Sequence, residues 1–239
     1  MHSLLKCVIF KDYPDLDLDL LNTQIFVLVC EAVKVQAMDE VPYSLIEMKS
    51  SDTVATIIDN SELNPQNDVK NLSIQKGDVV VNGGYYSKEY KSLGYLKING
   101  VAINSQVNPG LSGMLSIKSD GLLGINWSKN TVVGDYVGIL QNGPFLVYPG
   151  GKFGINTDDG RLASRVCVGR KLNGNIIIVY SAKDSLFNLA SVILKRHPDF
   201  SELLNMDGGP MAGVWSHDNY EFQFNNLVPA ISYLKFSIK

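Results

Sequence analysis

The chain has 239 residues, 45% of them hydrophobic and 19% charged, enough apolar material to bury one large core. A formal net charge of -3, with no block of lysine and arginine, gives no electrostatic basis for a nucleic-acid partner. No stretch reaches the ~18 apolar residues of a membrane span, and Cys7, Cys30 and Cys167 are too few and too widely spaced for a disulfide framework or a zinc site.

The first thirty residues include Phe10-Lys11-Asp12-Tyr13-Pro14-Asp15 rather than a basic start and a long apolar run, so no signal peptide is expected. Residues 1–24 read as an N-terminal extension or edge strand, and residues 25–239 as one domain. The first strand is predicted over 25–33. The polar, Asn/Asp/Ser-rich stretch 52–71 reads as a surface loop and helix start, and a short helix is predicted over 67–74, ending at Lys76-Gly77.

Further strands are predicted over 79–81, 96–98, 137–147 and 176–180, where β-branched and apolar residues dominate. Asn99-Gly100, Asp120-Gly121, Asp159-Gly160 and Asn173-Gly174 have hairpin-turn chemistry, since these pairs tolerate positive φ, and they point to antiparallel pairing. From Asp184 or Ser185, either of which can cap, Leu186, Leu189, Ala190, Ile193 and Leu194 recur at spacings of three and four, which predicts a helix ending before Pro198. The expected fold is a single-domain α+β structure: a long, twisted, largely antiparallel or mixed sheet with a few packed helices.

Two glycine turns stand out. Val81-Asn82-Gly83-Gly84-Tyr85-Tyr86 and Asn205-Met206-Asp207-Gly208-Gly209 each set a polar side chain against two glycines after an apolar run, which lets backbone approach a ligand closely. If their strands were neighbours, both turns would lie at one sheet edge. Asn82 offers a carbonyl and an amide, and Gly83 and Gly84 offer backbone N–H groups. Asp207 suits a general base, a carboxylate nucleophile or an electrostatic partner, and the sequence does not choose among them.

Five segments, in order, resemble the phosphodiester glycosidase family. They are Val81-Asn82-Gly83-Gly84-Tyr85-Tyr86, Leu93-Gly94-Tyr95-Leu96-Lys97-Ile98-Asn99-Gly100, Gln141-Asn142-Gly143-Pro144-Phe145-Leu146-Val147, Arg165-Val166-Cys167-Val168-Gly169 and Asn205-Met206-Asp207-Gly208-Gly209. The resemblance runs from about residue 25 to the C-terminus. It implies a hydrolase that frees a sugar from a sugar-1-phosphodiester of the N-acetylglucosamine-1-phosphodiester kind. Asp207, Arg165 and Asn82 would then be the catalytic residues, with Gly83, Gly84, Tyr85, Tyr86, Gln141, Asn142, Gly143, Asn205, Gly208 and Gly209 around the substrate.

The chemistry fits these residue types. Cleaving the sugar C–O bond develops oxocarbenium-like charge on the sugar and leaves a phosphate monoester, and a guanidinium such as that of Arg165 forks onto phosphate oxygens. Tyr85 and Tyr86 stand where the family has phenylalanines. After Gly209, Pro210-Met211-Ala212-Gly213 replaces the family's third glycine and serine, removing a backbone donor and a hydroxyl. Two other classes stay open: a glycan-phosphate binding module without turnover, which Pro210 prompts, and a phosphodiesterase that breaks the P–O bond.

No cofactor is required by the sequence, while Asp and Asn oxygens would suit a divalent cation such as calcium. The expected partner is a phosphorylated carbohydrate or glycan polymer, and the oligomeric state is left open. The family is usually exported or lumenal, whereas the visible N-terminus reads as cytoplasmic or phage-borne. Trp127, Trp215, Ser216 and His217 are secondary candidates, the aromatics for a sugar face and the others for the missing hydroxyl or a proton transfer.

Overall fold

The computed structural model describes residues 27–29, 33–36, 43–63, 72, 74–216 and 229–239. The strands β1 (Val27–Val29), β2 (Val33–Gln36), β3 (Ser44–Met48) and β4 (Thr53–Asp59) come first. Next are β5 (Val79–Asn82), β6 (Leu96–Ile98), β7 (Val101–Asn104), β8 (Gly113–Ile117) and β9 (Leu123–Trp127). Then come β10 (Gly138–Asn142), β11 (Phe145–Tyr148), β12 (Lys152–Phe153), β13 (Ala163–Lys171) and β14 (Ile176–Asp184). Helix α1 (Leu186–Arg196) precedes β15 (Phe200–Asn205), β16 (Val214–Ser216) and β17 (Ser232–Ile238).

Three sheets result, ordered β1-β2-β3-β14-β13-β15-β11-β12, β7-β6-β10-β8-β9 and β16-β5-β17-β4. Two-residue periodicity aims each strand. On β13, Val166 and Val168 enter the central core while Cys167 faces the other way; on β14, Ile176 and Ile178 oppose Ile177 and Val179. The central core joins all three sheets, with Met48 and Leu204 from the first, Leu115 and Leu140 from the second, and Val81 and Leu234 from the third. On the outer face of the eight-stranded sheet, Leu189, Ala190 and Ile193 of α1 pack against Leu146, Cys167 and Val179.

The expected α+β class with a few helices is corrected. Every strand pairing among the described residues is antiparallel, and α1 is the one α-helix among them, so the fold is mostly β. The helical spacing is confined to the α1 segment, where Ser185 accepts from the Asn188 N–H as N-cap, as its sequence predicts. The 52–71 stretch is corrected as well: its first part is β4, whose Thr53, Ala55 and Ile57 alternate inward against β17. Of the helix predicted over 67–74, only Leu72 and Ile74 are described, and neither is helical.

The turn chemistry is seen where expected. Asn99 and Gly100, at φ of +49° and +82°, join β6 to β7, while Gly121 and Gly174 turn β8 into β9 and β13 into β14. Asp159-Gly160 instead lies in the connection from β12 to β13. The predicted strand over 137–147 is two strands, β10 and β11, in different sheets, parted at the cis Gly143-Pro144 bond. No helix among the described residues is long and apolar enough to cross a membrane.

Candidate active site

The two glycine turns meet, but not as neighbouring strands of one sheet. β5 ends in Asn82 within the four-stranded sheet and β15 ends in Asn205 within the eight-stranded sheet. The junction is made across the sheets: Asn82 Nδ2 donates to the Asp207 carbonyl at 2.7 Å, and the Asp207 N–H reaches the Gly83 carbonyl at 3.5 Å. Asn82 Oδ1 accepts from the Gly213 N–H at 3.1 Å. Both ends of the Asn82 amide thus hold the loop that carries Asp207.

Arg165 enters from β13, one residue before Val166, whose carbonyl accepts the Met206 N–H at 2.8 Å. Its side chain runs beneath Gly208, where a Cβ would lie 2.8 Å from the Ser164 carbonyl oxygen and 3.8 Å from both Arg165 Cδ and Nη1. Only glycine fits there without displacing backbone. Arg165 Nε donates to the Asp184 carbonyl at 3.1 Å and Nη2 to the Arg161 carbonyl at 2.7 Å. Arg165 is 8% exposed, and no carboxylate lies within ion-pairing distance of its guanidinium among the described residues.

Asp207 is half-buried, and its Oδ1 accepts from the Gly208 N–H at 2.9 Å. Burial raises its carboxyl to about 7, against the opposing pull of that N–H. A carboxyl at that value changes protonation near neutral pH, which suits proton transfer. Beyond Gly208, Gly209 takes φ of +64° and Gly209–Met211 forms a 3-10 turn that accommodates Pro210, so the proline departure is absorbed as a turn.

Beneath the loop lies a polar network. Asn205 Nδ2 donates to Tyr85 Oη at 2.6 Å, and Tyr85 Oη lies 3.0 Å from both the Met206 and the Gly143 carbonyls. Gly143 takes φ of +155°, and a Cβ there would stand 2.7 Å from the Ser112 nitrogen. Gly83 gives its N–H to the Ser232 carbonyl, while Gly84 packs against Leu140 and Gln141. Tyr86 faces away, with Oη 2.8 Å from the Pro229 carbonyl and 3.1 Å from Met211 Sδ.

The side-chain amides divide sharply. Gln141 accepts from the Tyr95 and Asn108 N–H groups and donates to the Asn108 and Leu111 carbonyls, so it is wholly engaged in tying Tyr95 to residues 108–111. Asn82 and Asn205 are engaged on the glycine-turn loops. Asn142 differs: it is 0% exposed, neither Oδ1 nor Nδ2 has a partner among the described residues, and its Oδ1 would lie 3.6 Å from a Cβ on Gly84.

A family model described as phosphodiester glycosidase matches residues 75–231. The chain belongs to the phosphodiester glycosidase family. Among solved structures, the catalytic domain of zebrafish N-acetylglucosamine-1-phosphodiester alpha-N-acetylglucosaminidase, auto-inhibited by pro-peptide, aligns with a TM-score of 0.57 at 14% identity, covering 92% of this chain and 85% of that one. A hypothetical protein from Synechocystis gives 0.54 at 13% identity over 91% and 64% of the two chains. At such identities the likeness shows the fold alone. No curated protein matches by sequence.

Within this phosphodiester glycosidase domain the secondary candidates fall outside the junction or outside the described residues. Trp215 is buried and covers Gly213, Ser216 is buried in β16, and Trp127 packs with Phe145 and Tyr148 at centroid distances of 4.9 Å. Cys7, Cys30 and His217 lie outside the described residues, whereas Cys167 is a free, fully buried thiol that burial raises to about 12. Among the described residues no three His, Cys, Asp or Glu side chains gather as a metal site. The carbonyl supports of Arg165, from Asp184 and Arg161, carry no sequence signal because any residue type supplies a carbonyl.

Proposed function

We propose that the protein hydrolyses the glycosidic bond of a sugar-1-phosphodiester, releasing free sugar and a phosphate monoester. The observation that carries this reading is the juxtaposition of a nearly buried Arg165, which no carboxylate among the described residues pairs, with the Gly208 turn next to Asp207. A buried guanidinium without a counter-charge is costly, and a bound phosphodiester supplies one negative charge with oxygens spaced for its N–H groups. The donors not engaged on Asp184 and Arg161 face that task.

Water attacks the anomeric carbon, the C–O bond breaks, and the bridging oxygen leaves with the phosphate. That leaving group needs no proton, so Asp207 serves as the base that accepts one from water. Its elevated value makes it a stronger base than an exposed carboxylate. Asn142, whose amide has no partner among the described residues, is assigned to a sugar hydroxyl, whereas Asn82 holds the Asp207 loop in register. Residues 25–239 are taken as one catalytic unit.

Incubation with an N-acetylglucosamine-1-phosphodiester in 18O-water tests the reading. Hydrolysis at carbon places the label in the free sugar, and both Arg165→Ala and Asp207→Asn abolish turnover while remaining folded. Label in phosphate would identify a phosphodiesterase. Binding of the diester without any product would identify a non-catalytic module, the reading that Pro210 favours.

A further inference from the structure

Asp207 sits in a loop with little stiffness of its own, because Gly208 and Gly209 follow it and Gly209 already lies at positive φ. The 3-10 turn with Pro210 stiffens only residues 209–211, so restraint on Asp207 comes in large part from outside the loop. At the N-terminal end, Tyr85 Oη accepts from Asn205 Nδ2 and shares its one hydrogen between the Met206 and Gly143 carbonyls. At the C-terminal end, Tyr86 Oη is anchored by the Pro229 carbonyl and touches Met211 Sδ. Being adjacent in the chain, the two side chains leave on opposite sides, Tyr85 beneath the loop and Tyr86 toward the cluster of Val80, Met211 and Trp215.

We propose that Tyr85 and Tyr86 are positioning residues whose hydroxyls clamp the two ends of the 206–211 loop and thereby fix the Asp207 carboxylate and limit water around it. Among the described residues, the ionisable groups facing the loop are Arg165 beneath Gly208 and the two tyrosines, with Cys167 behind Tyr85 and Tyr90 and Tyr233 beside Tyr86. Both phenols are raised, by burial first and by the Asp207 charge second, Tyr86 to about 12. They therefore stay protonated through neutral pH and act as fixed hydroxyls.

The test compares Tyr85→Phe, Tyr86→Phe and the double variant, each of which removes an oxygen and keeps the ring. The Asp207 carboxyl is titrated in the free protein by carbon-13 NMR, a readout that needs no turnover. Its midpoint falls by about one pH unit in Tyr85→Phe, and further in the double variant, as water reaches the carboxyl. On the sugar-1-phosphodiester, and resting there on the proposed reaction, kcat falls about tenfold or more with KM little changed, and the ascending pH limb moves with the titration.

An unmoved midpoint in folded variants, with only thermal stability lost, would make the hydroxyls packing elements and overturn the clamp. A moved midpoint in a protein that turns over no substrate would leave the clamp standing and remove the hydrolase assignment.

Discussion

At the scale of single residues, Asp207 links catalysis to stability with a definite sign. Its carboxyl titrates near 7 in the folded chain and near the ordinary 3.8 when unfolded, so at intermediate pH the unfolded chain binds fewer protons. Stability contributed by the protonated form is complete below about 3.8 and is lost as pH rises through 7. Asp207→Asn removes that loss, so its stabilisation should be larger at pH 8 than at pH 5, by about 2–3 kcal/mol. Urea unfolding at the two pH values measures it, and an equal effect at both would mean that Asp207 is not held in a dry environment. Wild-type kcat/KM should rise with pH along a limb centred near 7, because the base must be ionised. Asn142 gives the complementary case. An amide buried without partners costs about 1–3 kcal/mol, so Asn142→Leu should leave the melting temperature unchanged or higher while kcat/KM falls at least about tenfold. Unchanged kinetics would release Asn142 from the sugar.

At the scale of elements, glycine in the Arg165–Gly169 motif is explained by strand spacing rather than by ligand. A Cβ on Gly169 would fall inside contact distance of the Glu202 carbonyl and 2.8 Å from Leu203 Cδ1, at the rung where β13 pairs with β15. Gly169→Ala should therefore cost about 1–3 kcal/mol, seen as a lower urea midpoint, and should weaken turnover by shifting Asn205 two rungs away. Ser185→Ala, by contrast, removes one cap and should cost about 1 kcal/mol without altering kcat. These elements also show what sequence can reveal. Strands such as Leu96–Ile98 were readable from their β-branched and apolar residues, the helix after Ser185 from apolar side chains at spacings of three and four, and the turns because Asn-Gly and Asp-Gly fit positive φ. β4 was not, since Asp52, Asp59 and Asn60 frame its Thr-Val-Ala-Thr-Ile-Ile run with polar residues that look like a loop. The motifs marked the junction, yet the division of amides into engaged Asn82, Gln141 and Asn205 and unengaged Asn142 depends on distant backbone partners, which no local pattern encodes.

At the scale of the whole molecule, the junction exists only because three sheets close on one core. Asn82 comes from the four-stranded sheet, Asn142 from the five-stranded sheet and Arg165 from the eight-stranded sheet, so no sheet holds the site alone. The same core joins Met48, Leu140 and Leu234, one from each sheet, and loss of any sheet would expose the faces of the other two. Unfolding should then be a single cooperative transition. Each sheet carries its own reporter: Trp127 ends β9 in the five-stranded sheet, Trp215 lies in β16 of the four-stranded sheet, and Cys167 lies in β13 of the eight-stranded sheet. The buried thiol, raised to about 12, becomes reactive only when β13 opens. With Cys7 and Cys30 replaced by serine, the Trp127→Phe and Trp215→Phe variants each leave one tryptophan. Within each variant, its fluorescence, Cys167 labelling and far-ultraviolet circular dichroism should give the same urea midpoint. An earlier midpoint for Trp215 than for Cys167 would instead show that the four-stranded sheet detaches first, carrying Asn82 away from the Asp207 loop while the Arg165 side of the site still stands.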